Sequence, residues 1–169
     1  IENYVKIITL DKGLQPFALY DCKKEKVDVI MNNRRVVLME GRQQGKTVTA
    51  AACILHYTIF EEDKTVAIMA NKSAAAREVL NRYQIMFENL PIWMQQGVRT
   101  WNKGDVELEN NSKVLTAATT AAAIRGKSVN WLYIDEAAII PNNIAEEFFA
   151  SVYPTISAGE TTKILLTST

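Results

Sequence analysis

The sequence predicts an α/β fold, with a mostly parallel β-sheet flanked by helices, on two observations. Short runs of apolar and often β-branched residues recur along the chain, as expected for buried strands. Segments of helical length separate these runs, and connections of that length join parallel strands. The predicted strands cover residues 35–39, 65–69, 131–134 and 163–167, and the predicted helices cover residues 14–31, 47–60, 73–89 and 143–153.

A different pattern at residues 98–118 predicts a β-meander added at one edge of the sheet. Val106 and Leu108 alternate with acidic residues between two polar turn clusters. This alternation is typical of a strand with one buried and one exposed face.

Composition bounds the class of protein. The chain has 169 residues, 48% of them hydrophobic, and can bury a core. Its 19 Lys and Arg residues balance 19 Asp and Glu residues, which excludes a uniformly basic nucleic-acid binder but not a local basic patch. No apolar segment is long enough to span a bilayer, and Cys22 and Cys53 lack metal-ligand spacing, which favours a reducing cytosol. We interpret residues 1–169 as a single domain of a longer protein, because the chain opens without Met and stops directly after a strand.

The most informative segment is a glycine-containing loop between a predicted strand and a predicted helix. Main-chain N–H groups of such a loop and of the helix N-terminus can cradle phosphates. Lys46 would contact the phosphates and the Thr47 hydroxyl would ligate Mg²⁺. Glu40 stands where the usual pattern has its first glycine. The segment predicts a P-loop NTPase that binds ATP and Mg²⁺ through Gly41, Arg42, Gln43, Gln44, Gly45, Lys46 and Thr47.

Two adjacent acids follow the apolar run at residues 131–134. The carboxyl end of a parallel strand faces the ligand crevice, so both acids are expected beside the phosphates. Asp135 is predicted to hold Mg²⁺ through water, and Glu136 to orient and deprotonate the attacking water. The alternative is a pair of solvated acids at a strand end.

Two arginines are candidates for stabilising charge on the transferred phosphoryl group. Arg42 lies inside the loop, beside the expected triphosphate. Arg125 precedes Gly126 at the end of a short predicted helix and is a candidate arginine finger, acting on its own nucleotide or a neighbour's. The alternatives are a solvated or salt-bridged loop arginine for Arg42 and a helix C-terminal cation for Arg125.

Two weaker signals concern coupling and base recognition. The hydroxyls of Thr167, Ser168 and Thr169 end the last strand and are placed to sense hydrolysis, although threonine is also common in strands. Gln15 and Phe17 open the first predicted helix, where an amide can read adenine and an aromatic ring can stack on it. A helix start with a core phenylalanine explains the second pair equally well.

Taken together, these residues resemble the ATPase domain of the large terminase subunit of tailed double-stranded DNA phages, of the myovirus type. Four stretches carry the resemblance, and residues 167–169 fall at the family's coupling motif. The stretches are Gly41-Arg42-Gln43-Gln44-Gly45-Lys46-Thr47, Trp101-Asn102-Lys103-Gly104 with the following Val106-Glu107-Leu108-Glu109-Asn110, Ala123-Ile124-Arg125-Gly126, and Ile134-Asp135-Glu136-Ala137 with Ile140-Pro141.

The resemblance implies a RecA-like, ASCE-type sheet and ATP hydrolysis that drives double-stranded DNA into a procapsid. It implies a homo-oligomeric ring on the portal protein, a small terminase subunit as partner, no membrane, and action in the host cell cytoplasm. It also implies a C-terminal nuclease domain outside these residues. Arg42 would act in cis and Arg125 in trans. The family's adenine motif has glutamine where this chain has Ala18.

Two other interpretations remain open from the residues. The first RecA-like domain of a superfamily-2 helicase or translocase also carries Asp-Glu-Ala followed by Thr-Ser-Thr. A nucleotide-dependent switch without turnover is a third class, and Glu136 argues against it because a switch needs no base.

Overall fold

The computed structural model describes residues 1–9, 11–120, 126–157 and 159–169. These residues form a seven-stranded sheet and a small two-stranded sheet. The strands are β1 (Lys6–Thr9), β2 (Gly13–Pro16), β3 (Arg35–Met39), β4 (Thr65–Ala70), β5 (Val98–Trp101), β6 (Asp105–Leu108), β7 (Lys113–Ala118), β8 (Trp131–Ile134) and β9 (Lys163–Ser168). The α-helices are α1 (Asp21–Asn32), α2 (Lys46–Phe60), α3 (Ser73–Glu88) and α4 (Asn142–Ser157), and short 3₁₀ turns lie at Ile92–Met94 and Ala137–Ile139.

The larger sheet has the order β3-β9-β8-β4-β7-β6-β5. Strands β3, β9, β8, β4 and β7 are parallel, whereas β6 and β5 run antiparallel to their neighbours. The mostly parallel sheet and the meander at its edge are therefore confirmed. Met39 pairs with Ser168, and Ile134 pairs with Leu166, so β3, β9 and β8 end at one edge.

The sheet is covered on both faces, and alternation along β4 shows how. Val66 and Ile68 face an apolar cluster built with α1, α2 and α3. Ala67 and Met69 face a second cluster that includes Phe148 of α4. Because successive strand side chains point to opposite faces, a strand buried on both sides is apolar at nearly every position. This arrangement explains why the central strands consist of continuous apolar runs.

Helix α2 packs between α1 and α3 and is buried on several sides, as its sequence predicts. Residues 50–55 are at most 1% exposed. Three consecutive alanines, which favour helix and have little volume, let the neighbouring helices approach closely. The helix begins directly after the phosphate loop, so this packing fixes the direction in which the loop's N–H groups point.

The N-terminal region differs from prediction. The helix expected over residues 14–31 begins only at Asp21, and Gln15 lies in β2, which pairs with β1. Gly13 turns the chain with a φ of +64°, and Pro16 favours extended backbone at the residue before it. The apolar spacing that indicates a longer helix therefore combines a strand, a linker and a shorter helix.

Other local predictions have mixed outcomes. Ser73 is a plausible cap for α3 by residue type, but Lys72 occupies the N-cap, without a side-chain hydrogen bond, and Ser73 is the first helical residue. The short helix expected at residues 120–124 and Arg125 lie largely or wholly outside the described residues. Gly126 has a φ of +77°. Among the described residues, no helix has the length and apolar character needed to cross a membrane.

Candidate active site: a phosphate loop facing two carboxylates

The loop between β3 and α2 exposes helix N–H groups at the carboxyl edge of the sheet. Gly45 is the N-cap of α2, with a φ of +77° and no side-chain capping hydrogen bond. Gln43 has a φ of +62°. The first N–H groups of a helix have no partner within the helix, and together with the helix dipole they favour an anion. The loop therefore has the geometry of a phosphate cradle.

Lys46 and Thr47 occupy the first turn of α2, and each has a defined contact. The Lys46 side chain is only 8% exposed, and its Nζ donates to the Glu40 carbonyl oxygen at 3.3 Å. The Thr47 hydroxyl donates to Oδ2 of Asp135 at 3.2 Å. Thr47 and Asp135 are 88 residues apart in sequence, so the fold brings the loop and the strand-end acid together as predicted.

Asp135 is held by a network of hydrogen bonds and is only 9% exposed. Its Oδ1 accepts from the Thr167 hydroxyl at 2.8 Å and from the Glu136 N–H at 3.1 Å. Contacts of this kind stabilise the ionised carboxylate. The first hydroxyl of the predicted coupling segment thus touches the predicted metal carboxylate.

Tyr133 extends this network into the core. Its hydroxyl lies 3.1 Å from Oγ1 of Thr167 and is fully buried. Burial, followed by the negative charge of Asp135, raises the pKa of Tyr133 well above its ordinary value. The phenol is therefore protonated and donates to Thr167, whose own hydrogen is directed to Asp135. Tyr133 was not predicted as a site residue from the sequence, although its place two residues before Asp135 on the same strand face is a usable signal.

Glu136 contrasts with its neighbour. It has a left-handed backbone, with φ 53° and ψ 45°, and its exposed side chain lines the cleft. Its carboxylate has no hydrogen bond or ion pair with the described residues. A non-glycine residue in this conformation costs about 1–3 kcal/mol and persists where surrounding structure holds it. Glu136 is thus held towards the cleft with its carboxylate available.

The loop and acids border a cavity of about 740 Å³. One wall comes from β1 and another from α3, and neither element was predicted to belong to the site. In α3, Nη2 of Arg82 lies 3.5 Å from Oε1 of Glu78, and its buried Nε lacks a hydrogen-bond partner. The lining residues are Ile7, Ile8, Thr9, Arg42, Gln43, Gly45, Lys46, Thr47, Val48, Glu78, Asn81, Arg82, Ile85, Met86, Glu136 and Thr169.

Some predicted residues lie away from this cavity. The Gln15 amide donates to the main-chain oxygens of Lys12 and Leu14, and Phe17 is a core residue at 1% exposure. Neither lines the cavity, because β2 directs them elsewhere. Gly41 and Gln44 belong to the loop without lining the cavity.

Ser168 also lies outside the cavity lining, and its contacts join two segments. Its hydroxyl accepts from the Ala138 N–H at 3.3 Å, and its carbonyl oxygen accepts from the Glu40 N–H at 3.1 Å. The end of β9 therefore touches both the start of the phosphate loop and the turn after Glu136. Arg125 is not among the described residues.

Comparison with known proteins identifies the family. Residues 37–169 match the sequence model described as "Terminase large subunit, T4likevirus-type, N-terminal". The chain belongs to this terminase family. The match decides between the two translocase interpretations of the sequence and gives no support to the helicase alternative.

Solved structures of phage terminases share the fold. The chain is similar to the large terminase of bacteriophage HK97, with 18% identity, a TM-score of 0.79, and coverage of 100% of this chain and 36% of that chain. For the ATPase domain of Thermus phage P74-26 large terminase the values are 20%, 0.59, 80% and 59%. For the large terminase of a thermophilic bacteriophage in complex with ATP-gamma-S they are 11%, 0.64, 86% and 37%. The chain thus spans about a third of the HK97 terminase and of the terminase solved with ATP-gamma-S.

Proposed function

We propose that this terminase chain hydrolyses ATP to ADP and phosphate and couples hydrolysis to movement of double-stranded DNA into a procapsid. The observation that carries the ATPase proposal is the 3.2 Å contact between the Thr47 hydroxyl and Asp135. It joins the phosphate loop to the strand-end acids in one cleft. The complexes of the thermophilic bacteriophage terminase with ADP and with ATP-gamma-S support nucleotide as the ligand of this fold.

In the proposed reaction, a water oxygen attacks the γ-phosphorus while the bond from that phosphorus to the β–γ bridging oxygen breaks. Glu136 orients this water and accepts its proton, for which its unpaired carboxylate at the cleft suits it. The departing ADP takes the electron pair of the broken bond. Lys46 and the N–H groups of the loop hold the phosphates in line for the transfer.

The residues present suit Mg²⁺. Thr47 and Asp135 offer hard oxygen ligands on two elements, and Mg²⁺ in nucleotide sites commonly takes one or two protein oxygens with phosphates and water. The described residues contain no group of three or more His, Cys, Asp or Glu side chains suited to a metal ion, consistent with a site completed by the nucleotide. When bound, Mg²⁺ neutralises phosphate charge.

The two arginines have different roles in this proposal. Arg42 lines the cavity and makes no hydrogen bond or ion pair with the described residues, so its guanidinium is available to the γ-phosphoryl group. Arg125 is proposed as a finger acting across a subunit boundary. Its role rests on its sequence motif alone.

Coupling to DNA is proposed to pass through β9. Thr167 contacts Asp135, and Ser168 contacts both the phosphate loop and the turn after Glu136, so a change at the γ-phosphate can shift this strand end. We propose a homo-oligomeric ring docked on the portal protein, with the small terminase subunit as partner, in the host cytoplasm. A C-terminal nuclease domain also remains a prediction.

The proposal is tested by measuring phosphate release and DNA packaging in the same preparation of full-length protein with procapsids. We expect ATP-dependent protection of DNA from added nuclease, abolished by ATP-gamma-S. Phosphate release without DNA protection would retain the ATPase assignment and remove the packaging one. Mixing Arg125→Ala with Glu136→Gln subunits should restore part of the turnover if Arg125 acts in trans, and no rescue would count against that role.

A further inference from the structure

An ion pair outside the cavity ties α1 to the phosphate loop. Nζ of Lys26 lies 2.8 Å from both carboxylate oxygens of Glu40 and donates to the Gln44 carbonyl oxygen at 3.2 Å. The Lys26 and Glu40 side chains are only 13% and 18% exposed. Lys26 therefore contacts both the residue that starts the loop and the residue before Gly45.

Glu40 connects this pair to the functional parts of the cleft. Its N–H donates to the Ser168 carbonyl oxygen at 3.1 Å, and its own carbonyl oxygen accepts from Nζ of Lys46 at 3.3 Å. Fixing Glu40 therefore also fixes the resting position of the phosphate lysine. Glu40 is also the residue that departs from the glycine of the usual loop pattern.

The loop needs such support because its backbone is not at its local minimum. Gln43 has a φ of +62°, in a region that non-glycine residues occupy at a cost of about 1 kcal/mol or more. A phosphate cradle is effective when its donors already point at the ligand before the ligand arrives. A largely buried ion pair is less screened by solvent than a surface pair, so it can supply this restraint.

We propose that Lys26 is a positioning residue, which holds the phosphate loop in its binding conformation through Glu40 and Gln44. The proposal rests on the ATPase function proposed above. Lys26 is not part of the cavity wall, so its effect falls on ATP affinity more than on the chemical step. Glu40 acts with it and is required for the same effect, although it brings a negative charge near the phosphates.

That negative charge separates positioning from simple charge attraction. If Lys26 acted only as a distant cation, Glu40→Gln would remove a repulsive charge and tighten ATP binding. If the pair positions the loop, Glu40→Gln weakens ATP binding, as Lys26→Met does. The double variant should then lose no more than the larger single loss, because both substitutions remove one interaction.

The experiment measures the Kd of a fluorescent ATP analogue, and kcat and KM for ATP, in full-length protein. We expect Lys26→Met and Glu40→Gln each to raise Kd and KM about tenfold, with kcat at saturating ATP within about threefold. Lys26→Arg, which keeps donors for both partners, should retain most of the affinity.

Lys24→Met is the matched control. Lys24 lies on the same helix and pairs with Glu2 at 3.1 Å, but both side chains are 50% exposed. The net charge change is identical, and we expect less than about a twofold effect on Kd.

Equal Kd values for Lys26→Met and Lys24→Met, or tighter binding by Glu40→Gln, would overturn the positioning role. If Lys26→Met does not fold, the near-isosteric Glu40→Gln decides by the sign of its effect. If the wild type itself does not bind ATP, the proposed ATPase function fails and this inference falls with it, whereas normal wild-type binding with unaffected variants removes the inference alone.

Discussion

The cleft has two walls, and they are built by different means. The phosphate-loop wall consists of main-chain N–H groups at the start of α2, with left-handed residues at Gln43 and Gly45. The carboxylate wall consists of side chains, in which Thr47 and Thr167 donate to Asp135 and Tyr133 supports Thr167. Thr47 belongs to the loop and is the point at which the walls touch.

The contrast shows where each function is vulnerable. A wall of main-chain donors cannot lose a donor by substitution and fails when its conformation or its one lysine changes, so its failure affects binding. A wall of side chains can be altered one hydroxyl at a time, so its failure affects turnover and metal use in graded steps.

The sharpest test of this division is Glu136→Gln. We expect kcat to fall by about 10²- to 10⁴-fold, because the base is lost, while the Kd of ATP stays within about threefold. Phosphate release and fluorescent-nucleotide binding measure the two quantities. Glu147→Gln, an equal charge change at an exposed residue of α4, is the control and should leave both unchanged. Near-normal turnover in Glu136→Gln would remove the catalytic assignment.

Lys46→Ala tests the opposite wall. We expect the Kd of ATP to rise by about 30-fold or more, since a largely buried lysine that contacts phosphate typically contributes about 2 kcal/mol or more. Calorimetric titration with ATP-gamma-S measures it without turnover. Lys103→Ala, at an exposed turn, should bind normally. An isotherm unchanged in Lys46→Ala contradicts the phosphate cradle.

Thr167→Val removes one hydroxyl from the carboxylate wall and keeps a β-branched side chain in β9. We expect the Mg²⁺ concentration for half-maximal turnover to rise about tenfold, because the partner that orients Asp135 is lost. A Mg²⁺ titration of phosphate release measures the shift. Thr65→Val, also in a parallel strand and with no side-chain hydrogen bond among the described residues, is the control. The same Mg²⁺ dependence in both variants would count against this orienting role.

Tyr133→Phe should have the smallest effect. It removes the hydrogen bond to Thr167 and should lower the free energy of unfolding by about 1 kcal/mol, with a change of less than about fivefold in kcat. Tyr83→Phe, which removes a buried hydrogen bond to Thr58 elsewhere in the core, is matched in chemistry. Denaturant titration should show similar losses, and only Tyr133→Phe should alter Mg²⁺ dependence. If Tyr83→Phe alters it equally, Tyr133 contributes only stability.

Local sequence was sufficient to predict the strand, loop and helix at residues 35–60, the acidic strand end at Asp135 and Glu136, and the edge meander. Periodicity of apolar residues, glycine positions and the order of short motifs express these features within a few turns of chain. They could therefore be predicted without knowledge of which strands pair.

The remaining features of the site arise only in the folded chain. The insertion of β9 between β3 and β8 brings Thr167 to Asp135, the β1–β2 pairing moves Gln15 away from the cavity, and the packing of α1 brings Lys26 to Glu40. Each depends on a contact between residues distant along the chain or on a pairing that competes with helix formation. No local pattern encodes such contacts, because their free energy comes from burial and pairing that exist only after the chain has folded.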